Sequence, residues 1–103
     1  MIYDCIIIGA GAGGLFCAAS MEKKINGLIL EKTPRTGTKL LMSGSGQCNI
    51  THAGSIKDFI TRYGENGRKI RTCLYKYSNL QLTDFLENNG IRTKTRDDGK
   101  IFP

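Results

Sequence analysis

The chain has 103 residues, 40% of them hydrophobic and 23% charged, a composition that fits a globular domain and excludes a disordered tail or a fibre. This length allows one modest core and no second independent domain. The formal net charge is +6, and a basic surface attracts phosphates of every kind, nucleic acids included. Asp58 and Glu65, however, interrupt the basic residues of the segment 57–76. That pattern favours a solvated helical face, so we expect no nucleic-acid partner.

Four cysteines are spread along the chain without any C-x-x-C pair: Cys5, Cys17, Cys48 and Cys73. This spacing fits neither a zinc site nor a small disulfide framework. No basic segment precedes the first apolar run, as it would in a signal peptide, and no aliphatic stretch is long enough to cross a membrane. We therefore expect no metal, no membrane partner and a cytoplasmic location.

The beginning of the chain alternates strand and helix patterns. Residues 2–8 are apolar and β-branched, which predicts a buried parallel strand that ends at a glycine. Residues 12–24 predict a helix, which the pair Asn26-Gly27 terminates. Residues 28–30 predict a second strand, and it leads directly into Glu31.

The middle of the chain predicts a loop and then helices. Residues 32–49 are rich in Gly, Ser, Thr and Lys, which indicates a long ligand-shaped loop with one helical turn at 39–42. Ser55 is placed to cap a short helix that reaches residue 63, and a second helix is predicted over 68–77. The clearest helix of this part follows Ser78 and stops at the pair Asn89-Gly90.

The end of the chain predicts a β-hairpin. Residues 91–95 form one strand and residues 100–102 begin the return strand. Between them, Asp97-Asp98-Gly99 predicts a turn and lacks the remaining ligands of a metal loop. Because the chain stops inside this hairpin, we expect an incomplete domain.

A glycine-rich motif stands between the first strand and the first helix. Gly9-Ala10-Gly11-Ala12-Gly13-Gly14 matches G-x-G-x-x-G, and Glu31 follows 22 residues after Gly9 at the end of the next strand. Gly9 permits the tight turn, Gly11 lets the main chain approach a pyrophosphate, and Gly14 lets the helix pack closely on the strand. The unpaired amides and the dipole at the helix N-terminus favour a diphosphate at this place.

Glu31 indicates which dinucleotides fit. Its carboxylate can accept hydrogen bonds from the hydroxyls of an adenosine ribose and would repel a 2′-phosphate, which argues against NADP. FAD and NAD both use this fingerprint, so the motif leaves both open. The alternative is that the motif binds no ligand and forms a strand–turn–helix in which the glycines serve only packing.

A second segment of small residues follows the second strand: Arg35-Thr36-Gly37-Thr38-Lys39 and then Ser43-Gly44-Ser45-Gly46-Gln47-Cys48-Asn49. Small residues here would let backbone amides face a phosphate or an isoalloxazine ring, and Lys39 offers a cation to either. Simple NAD dehydrogenases have no evident need of such a segment at this position. A flexible surface loop rich in Gly and Ser is the alternative.

The two motifs together resemble the N-terminal region of the BaiN-like flavoproteins, which are NAD(P)/FAD-dependent oxidoreductases or aminoacetone oxidase family FAD-binding enzymes. The likeness covers nearly the whole chain, through the segments 3–11, 30–32, 37–41, 43–49, 89–91 and 99–103. It implies that FAD is bound in an extended form, with NAD(P)H as a candidate reductant.

The resemblance also implies positions for the cofactor residues. The pyrophosphate would lie at Gly11, Gly13 and Gly14, within the turn that includes Gly9 and Ala12. The adenosine ribose would lie at Glu31 and Lys32. The ribityl and flavin portion would lie toward Lys39, Ser43, Gly44, Gly46 and Asn49.

Three positions depart from the family pattern. Ser45 stands where glycine is usual, and it introduces strain if that position needs φ > 0. Gln47 stands where arginine is usual, which removes a cation near the cofactor, and Thr51-His52 replaces a common Thr-Asn pair. Family members are several times longer, so we expect an N-terminal fragment that binds FAD weakly or not at all by itself.

Several other residues carry a functional and a structural interpretation. His52, the single histidine, could donate a proton near a flavin, but a solvent-facing loop position is favoured. Cys48 could be a redox thiol, but no partner cysteine is nearby in sequence. Tyr63, Tyr75 and Tyr77 could stack on nucleic-acid bases, but their helical spacing favours core and boundary positions.

The sequence therefore predicts the α/β class: the N-terminal βαβ part of a Rossmann-like FAD-binding domain, followed by helices and the start of a hairpin. Residues 1–103 would be the truncated N-terminal portion of that domain. The expected function is FAD binding in a flavin-dependent oxidoreductase with a small-molecule substrate, and no catalytic residue can be assigned. The alternatives are an NAD-binding dehydrogenase module and a small basic nucleic-acid-binding module.

Overall fold

The computed structural model describes all 103 residues. They form two compact units, Met1–Cys48 and Asn49–Pro103, each with its own small sheet. Neither unit contains a helix with the length and apolar character needed to span a bilayer.

The first unit is built on a βαβ arrangement. Strand β1 (Cys5–Ile8) leads into helix α1 (Ala12–Ala19), and the chain returns in strand β2 (Gly27–Leu30). The two strands pair in parallel along their whole length. A parallel pair needs a crossover connection, and α1 supplies it. The predicted α/β class and the βαβ order are confirmed.

Both β1 and α1 are shorter than predicted. Ahead of β1, the Asp4 carboxylate accepts a hydrogen bond from the Asn26 N–H (2.9 Å), and the Asp4 N–H donates to the Asn26 carbonyl (2.8 Å). This polar link takes the place of further strand pairing, so the ladder begins at Cys5 and not at residue 2. Helix α1 ends at Ala19 and not at residue 24, because the Ser20 N–H bonds back to carbonyls of the last turn and the chain then turns toward β2.

The prediction that the first strand is buried was wrong. Helix α1 covers one face of the two-stranded sheet, and on that face Cys5 and Ile7 are half-buried. On the other face Ile6 is 56%, Ile8 87% and Leu30 49% exposed, because no other part of this unit packs there. A fully apolar strand pattern predicts two covered faces, and here only one is covered.

The loop after β2 contains a short helix α2 (Thr38–Met42), which confirms the predicted helical turn. It continues into a 3₁₀ turn (Ser43–Gly46) whose backbone is left-handed at two successive residues. Gly44 has φ 57° and Ser45 has φ 57°, and Cys48 a little further on has φ 56°.

The second unit has three helices and an antiparallel sheet of three strands. The helices are α3 (Ile56–Arg62), α4 (Gly67–Lys76) and α5 (Asn79–Asn88), with a 3₁₀ turn (Gly64–Asn66) before α4. The predicted N-terminal residues of α3 and α5 are confirmed. Ser55 caps α3, and Ser78 forms a capping box with Gln81 at the start of α5.

The sheet of the second unit contains one strand that the sequence did not predict. Strand β5 (Lys100–Phe102) lies between β4 (Lys94–Thr95) and β3 (Thr51–His52). The predicted hairpin is confirmed, although its first strand starts at Lys94 and not at residue 91. Ile101 and Phe102 are both 6% exposed and form the core of this unit.

Strand β3 is fixed by a buried amide. Asn79 is 6% exposed, and its side-chain nitrogen donates hydrogen bonds to the carbonyls of His52 (2.9 Å) and Gly54 (3.0 Å). A buried polar group of this kind is stable only when it is hydrogen-bonded. Asn79 therefore holds the end of β3 to the first turn of α5.

Candidate functional site

The turn between β1 and α1 is tied to both sides of the first unit. Gly9 has φ 95°, and its N–H donates to the Leu30 carbonyl at 2.7 Å. Ala10 is fully buried; its N–H donates to Glu31 Oε2 at 2.7 Å and its carbonyl accepts from the Gly37 N–H at 2.7 Å. A short apolar residue in a buried turn thus connects β1, the end of β2 and the loop before α2.

Gly14 permits close packing, as the motif predicts. A Cβ at this position would overlap the Gly9 carbonyl oxygen and would lie 3.3 Å from Ile7 Cγ2. Any side chain at residue 14 would therefore force α1 away from β1. Glycine is required here by contact with the main chain and not by an unusual φ angle.

Gly11 and Gly13 face open space. A Cβ at either residue would meet no atom within 4 Å. Gly11 is the N-cap of α1 and has no side chain that could bond the first amides of the helix. The amides of the first turn have no partner within the helix, so they are available to an anion in front of it.

Glu31 lies at the end of β2, beside this turn. Its Oε2 accepts from the Ala10 N–H at 2.7 Å, and its Oε1 accepts from the Thr33 N–H at 2.9 Å and faces the Thr33 hydroxyl at 2.9 Å. The Ala10 N–H first, and then the Thr33 groups, hold the pKa of the Glu31 carboxyl below its ordinary value of 4.5. The side chain is ionised at neutral pH, and Oε2 keeps a second lone pair for another donor.

These elements enclose an open cleft of about 380 Å³. That volume lies within the range of small-molecule sites. Four of the predicted cofactor residues line it: Gly11, Ala12, Glu31 and Lys39. The cleft therefore brings together the helix N-terminus, an ionised carboxylate and one lysine.

The other predicted cofactor residues do not line this cleft. Gly9 and Gly14 shape the turn behind it, and Gly13 lies on the open side of α1, while Lys32 is an exposed side chain. Ser43, Gly44 and Gly46 belong to the 3₁₀ turn, where the Ser43 hydroxyl donates to the Leu40 carbonyl at 2.8 Å. Asn49 belongs to the second unit, and its amide donates to the carbonyls of Thr51 and Ile101. A cofactor contact by these residues stays a prediction.

The sequence analysis missed Thr33, which also lines the cleft, and it named Arg35, another lining residue, only as the start of the second segment of small residues. The Thr33 hydroxyl lies within 2.9 Å of Glu31 Oε1 and 2.8 Å of the Arg35 carbonyl, so it fixes the carboxylate and the turn after β2 together. A threonine can form such a turn because its hydroxyl reaches the backbone two residues further on.

The predicted strain at Ser45 has the expected geometry. With φ 57° and ψ 40°, this serine lies in the left-handed region, which costs a residue with a Cβ about 1–2 kcal/mol. Glycine in that position would have no such cost.

Two interpretations of single residues need correction. His52 is not in a solvent-facing loop: it is half-buried in β3, with Nδ1 2.6 Å from the Ala53 carbonyl and Nε2 2.9 Å from the Asp98 carbonyl. Tyr63, Tyr75 and Tyr77 are not core residues, because they are 51%, 53% and 40% exposed. Helical spacing predicted the correct helix but not which side of it the rings occupy.

A parallel βαβ unit with a glycine turn, open helix amides and an acid at the end of the second strand defines a Rossmann-type dinucleotide-binding segment. The family model described as HI0933-like protein Rossmann domain matches residues 3–103. The chain belongs to this family, which is one of flavin-dependent oxidoreductases, and the resemblance to flavoproteins is thereby confirmed.

Three curated relatives show how far the likeness extends. The chain is 33% identical over 99 residues to a ribosomal RNA dihydrouridine synthase of Haemophilus influenzae, covering 94% of this chain and 24% of the relative. It is 30% identical over 101 residues to a ribosomal RNA dihydrouridine synthase of Escherichia coli, covering 97% and 25%. It is 32% identical over 100 residues to a 3-dehydro-bile acid delta(4,6)-reductase of Clostridium scindens, covering 94% and 24%. The chain spans about a quarter of the length of these relatives.

Proposed function

We propose that the cleft in front of α1 binds the ADP portion of FAD, and that the chain acts as the N-terminal FAD-binding segment of a flavin-dependent oxidoreductase. One observation carries this proposal. The open amides at Gly11, the ionised carboxylate of Glu31 and the cation of Lys39 border the same cleft.

The helix N-terminus is the pyrophosphate end of the proposed site. Helix α1 has eight residues, and its dipole places partial positive charge at Gly11. Because Gly11 and Gly13 carry no Cβ, phosphate oxygens can approach the first amides directly. The residues present therefore fit a diphosphate.

Glu31 is the ribose end of the proposed site. Its remaining lone pair on Oε2 suits the hydroxyl of an adenosine ribose, whereas a 2′-phosphate would bring like charges together. Adjacent Lys32 would contribute positive charge at this end. This carboxylate favours FAD or NAD over NADP as the resident dinucleotide.

We assign Lys39, Ser43, Gly44, Gly46 and Asn49 to the ribityl and flavin portion by likeness to the family. Lys39 has the strongest support, since it lines the cleft. When bound, the flavin supplies hydride and electron transfer, with NAD(P)H as its candidate reductant. The residues of this chain bind and orient, and none of them is assigned as an acid, base or nucleophile.

FAD is preferred to NAD because the family is flavin-dependent and because the segment 37–49 has no evident use in a simple NAD dehydrogenase. A cytoplasmic location fits the four free cysteines. The names of the relatives refer to different substrates, ribosomal RNA and a bile acid derivative, so the shared segment does not define the substrate.

An NMR titration tests the proposal. The ¹⁵N-labelled chain is titrated in parallel with FAD, NAD⁺ and NADP⁺, and backbone amide shifts are followed. We expect FAD to move the amides of residues 11–14 and 31, with weak affinity, and NADP⁺ to move them least. FAD and NAD⁺ binding with equal affinity would favour the NAD module. Absence of any FAD-dependent shift at residues 11–14 would reject the site.

A further inference from the structure

The two oxygens of the Glu31 carboxylate have different surroundings. Oε2 accepts one hydrogen bond, from the Ala10 N–H at 2.7 Å. Oε1 accepts from the Thr33 N–H at 2.9 Å, and the Thr33 hydroxyl lies at the same distance from it. An ionised carboxylate has about four acceptor positions, two on each oxygen. With both Thr33 donors on Oε1, the acceptor position that remains for a ligand is on Oε2.

The Thr33 hydroxyl has one hydrogen and two possible acceptors. Its oxygen lies 2.9 Å from Glu31 Oε1 and 2.8 Å from the Arg35 carbonyl. A hydroxyl donates one hydrogen bond at a time, and a charged acceptor forms the stronger one. Since Glu31 is ionised at neutral pH, the hydrogen points to Oε1, while the Arg35 carbonyl also has the Thr38 hydroxyl at 3.4 Å. The main partner of the Thr33 hydroxyl is therefore the carboxylate and not the turn.

This contact restricts a side chain that is otherwise flexible. Glu31 is only half-buried, so its orientation depends on hydrogen bonds more than on packing. A glutamate that is oriented before the ligand arrives loses less conformational entropy on binding than one that moves freely. Thr33 itself lines the cleft, so it acts directly at the ligand site.

We propose that Thr33 is a positioning residue for the dinucleotide: its hydroxyl holds Glu31 Oε1, so that Oε2 accepts one ribose hydroxyl from a carboxylate that is already oriented. This inference rests on the proposed function, because it concerns the ribose end of the same cleft. It also adds a determinant of selectivity. A fixed carboxylate cannot turn away from a 2′-phosphate, so its charge keeps opposing that group. Thr33 thus favours FAD and NAD⁺ and disfavours NADP⁺.

The test uses matched threonine variants of the full chain. Thr33→Val replaces the hydroxyl with a methyl group and keeps the N–H, whereas Thr33→Ser keeps the hydroxyl. Thr38→Val removes the other hydroxyl near the Arg35 carbonyl. Thr83→Val removes a hydroxyl that bonds the Leu80 carbonyl at 2.9 Å in the second unit, so it controls for the substitution itself. Far-UV circular dichroism checks that each variant is folded.

The first measurement needs no ligand. The carboxyl ¹³C resonance of Glu31 is followed against pH by NMR, and its loss in Glu31→Gln identifies it. The Thr33 hydroxyl is one of the groups that lower the pKa of Glu31, so Thr33→Val should raise this pKa toward 4.5 and Thr33→Ser should keep it low. Thr38→Val and Thr83→Val should leave it unchanged. An equal pKa of Glu31 in Thr33→Val and in the parent would overturn the proposal.

The second measurement is the amide titration with FAD, NAD⁺ and NADP⁺. The cost of ordering one flexible side chain corresponds to about a two- to tenfold change in affinity, and Thr33→Val should weaken FAD and NAD⁺ binding by that factor. NADP⁺ binding should not weaken, so the ratio of the NAD⁺ affinity to the NADP⁺ affinity should fall. Thr33→Ser and Thr83→Val should bind as the parent does. In a Glu31→Ala background, Thr33→Val should have no further effect, because no carboxylate remains to be held.

Three binding results would overturn the proposal and leave the FAD site in place. Unchanged FAD affinity in Thr33→Val would show that Glu31 needs no positioning by the hydroxyl. Stronger FAD binding would show that the hydroxyl competes with the ribose for Oε1. An equal loss in the Glu31→Ala background would show that Thr33 contacts the ligand directly. If instead the parent shows no FAD-dependent shift at residues 11–14, the proposed function fails, and this inference fails with it.

Discussion

Two glycines of one motif should respond in opposite ways to the same added methyl group. At Gly11 a Cβ meets nothing within 4 Å, and the backbone is extended (φ −80°, ψ −172°), so alanine fits without strain. At Gly14 a Cβ overlaps the Gly9 carbonyl oxygen and presses on Ile7. Gly11→Ala should therefore weaken ligand binding, and Gly14→Ala should destabilise the folded state.

The sizes of the two effects differ. Gly11→Ala should change the free energy of unfolding by less than about 1 kcal/mol, because alanine is a poorer N-cap but lowers the entropy of the unfolded chain. Loss of one charge-assisted hydrogen bond to phosphate, worth about 1.5–3 kcal/mol, should weaken FAD binding roughly 10- to 150-fold. For Gly14→Ala, a gain of about 1 kcal/mol in helix propensity opposes a main-chain overlap that exceeds the usual 1–3 kcal/mol of overpacking, for a net loss of about 2 kcal/mol or more.

Urea unfolding followed by far-UV circular dichroism measures the stability of both variants, and the FAD titration by NMR measures binding. If folded Gly11→Ala binds FAD as the parent does, main-chain amides do not hold the pyrophosphate. If Gly14→Ala unfolds at the same urea concentration as the parent, the close approach of α1 to β1 is refuted.

The remaining predictions concern Ser45 and Glu31. Ser45→Gly should raise the free energy of unfolding by about 0.5–1 kcal/mol by removing left-handed strain, whereas Ser20→Gly, at a right-handed residue, should not; urea unfolding compares them. Glu31→Gln should weaken NAD⁺ binding and lower the ratio of the NAD⁺ affinity to the NADP⁺ affinity, as measured by the same titration. If this affinity ratio does not change, Glu31 is not part of the ribose site. The pKa of Glu31 is lowered in the folded chain, so its stabilising effect is complete above the unfolded-state pKa and is lost as the pH falls through the folded-state pKa. The stability difference between parent and Glu31→Gln should therefore shrink as the pH falls below about 4.5, and a difference that does not shrink on acidification would refute this role.

Features that depend on local sequence were predicted well. The glycine turn, the crossover helix and the acid after β2 follow from short segments, and all three are present. The serine caps of α3 and α5 were equally local. Of the predicted cofactor residues, Gly11, Ala12, Glu31 and Lys39 border one cleft.

Features that depend on distant contacts were missed. Strand β3 consists of Thr51–His52 and exists because β5, about half the chain away, pairs with it and Asn79 holds its end. The exposure of Ile8 and of Tyr75 depends on what packs nearby, and apolar patterning carries no such information. The role of Thr33 could not be predicted from its position in the sequence, because it depends on the turn after β2, which places the Thr33 hydroxyl beside Glu31.

The uncovered side of the β1–β2 sheet bears on how the molecule behaves in solution. Ile6, Ile8 and Leu30 form a solvent-exposed apolar strip. Each strand of this two-stranded sheet also has one edge whose backbone N–H and C=O groups are not paired with another strand. Open strand edges can pair with strands of neighbouring molecules, so self-association should increase with protein concentration. A dinucleotide that binds only the folded unit would raise the fraction of folded molecules by mass action. Because Ile6, Ile8 and Leu30 do not line the cleft, cofactor binding should raise the folded fraction without covering this apolar strip, and self-association should persist in the loaded protein.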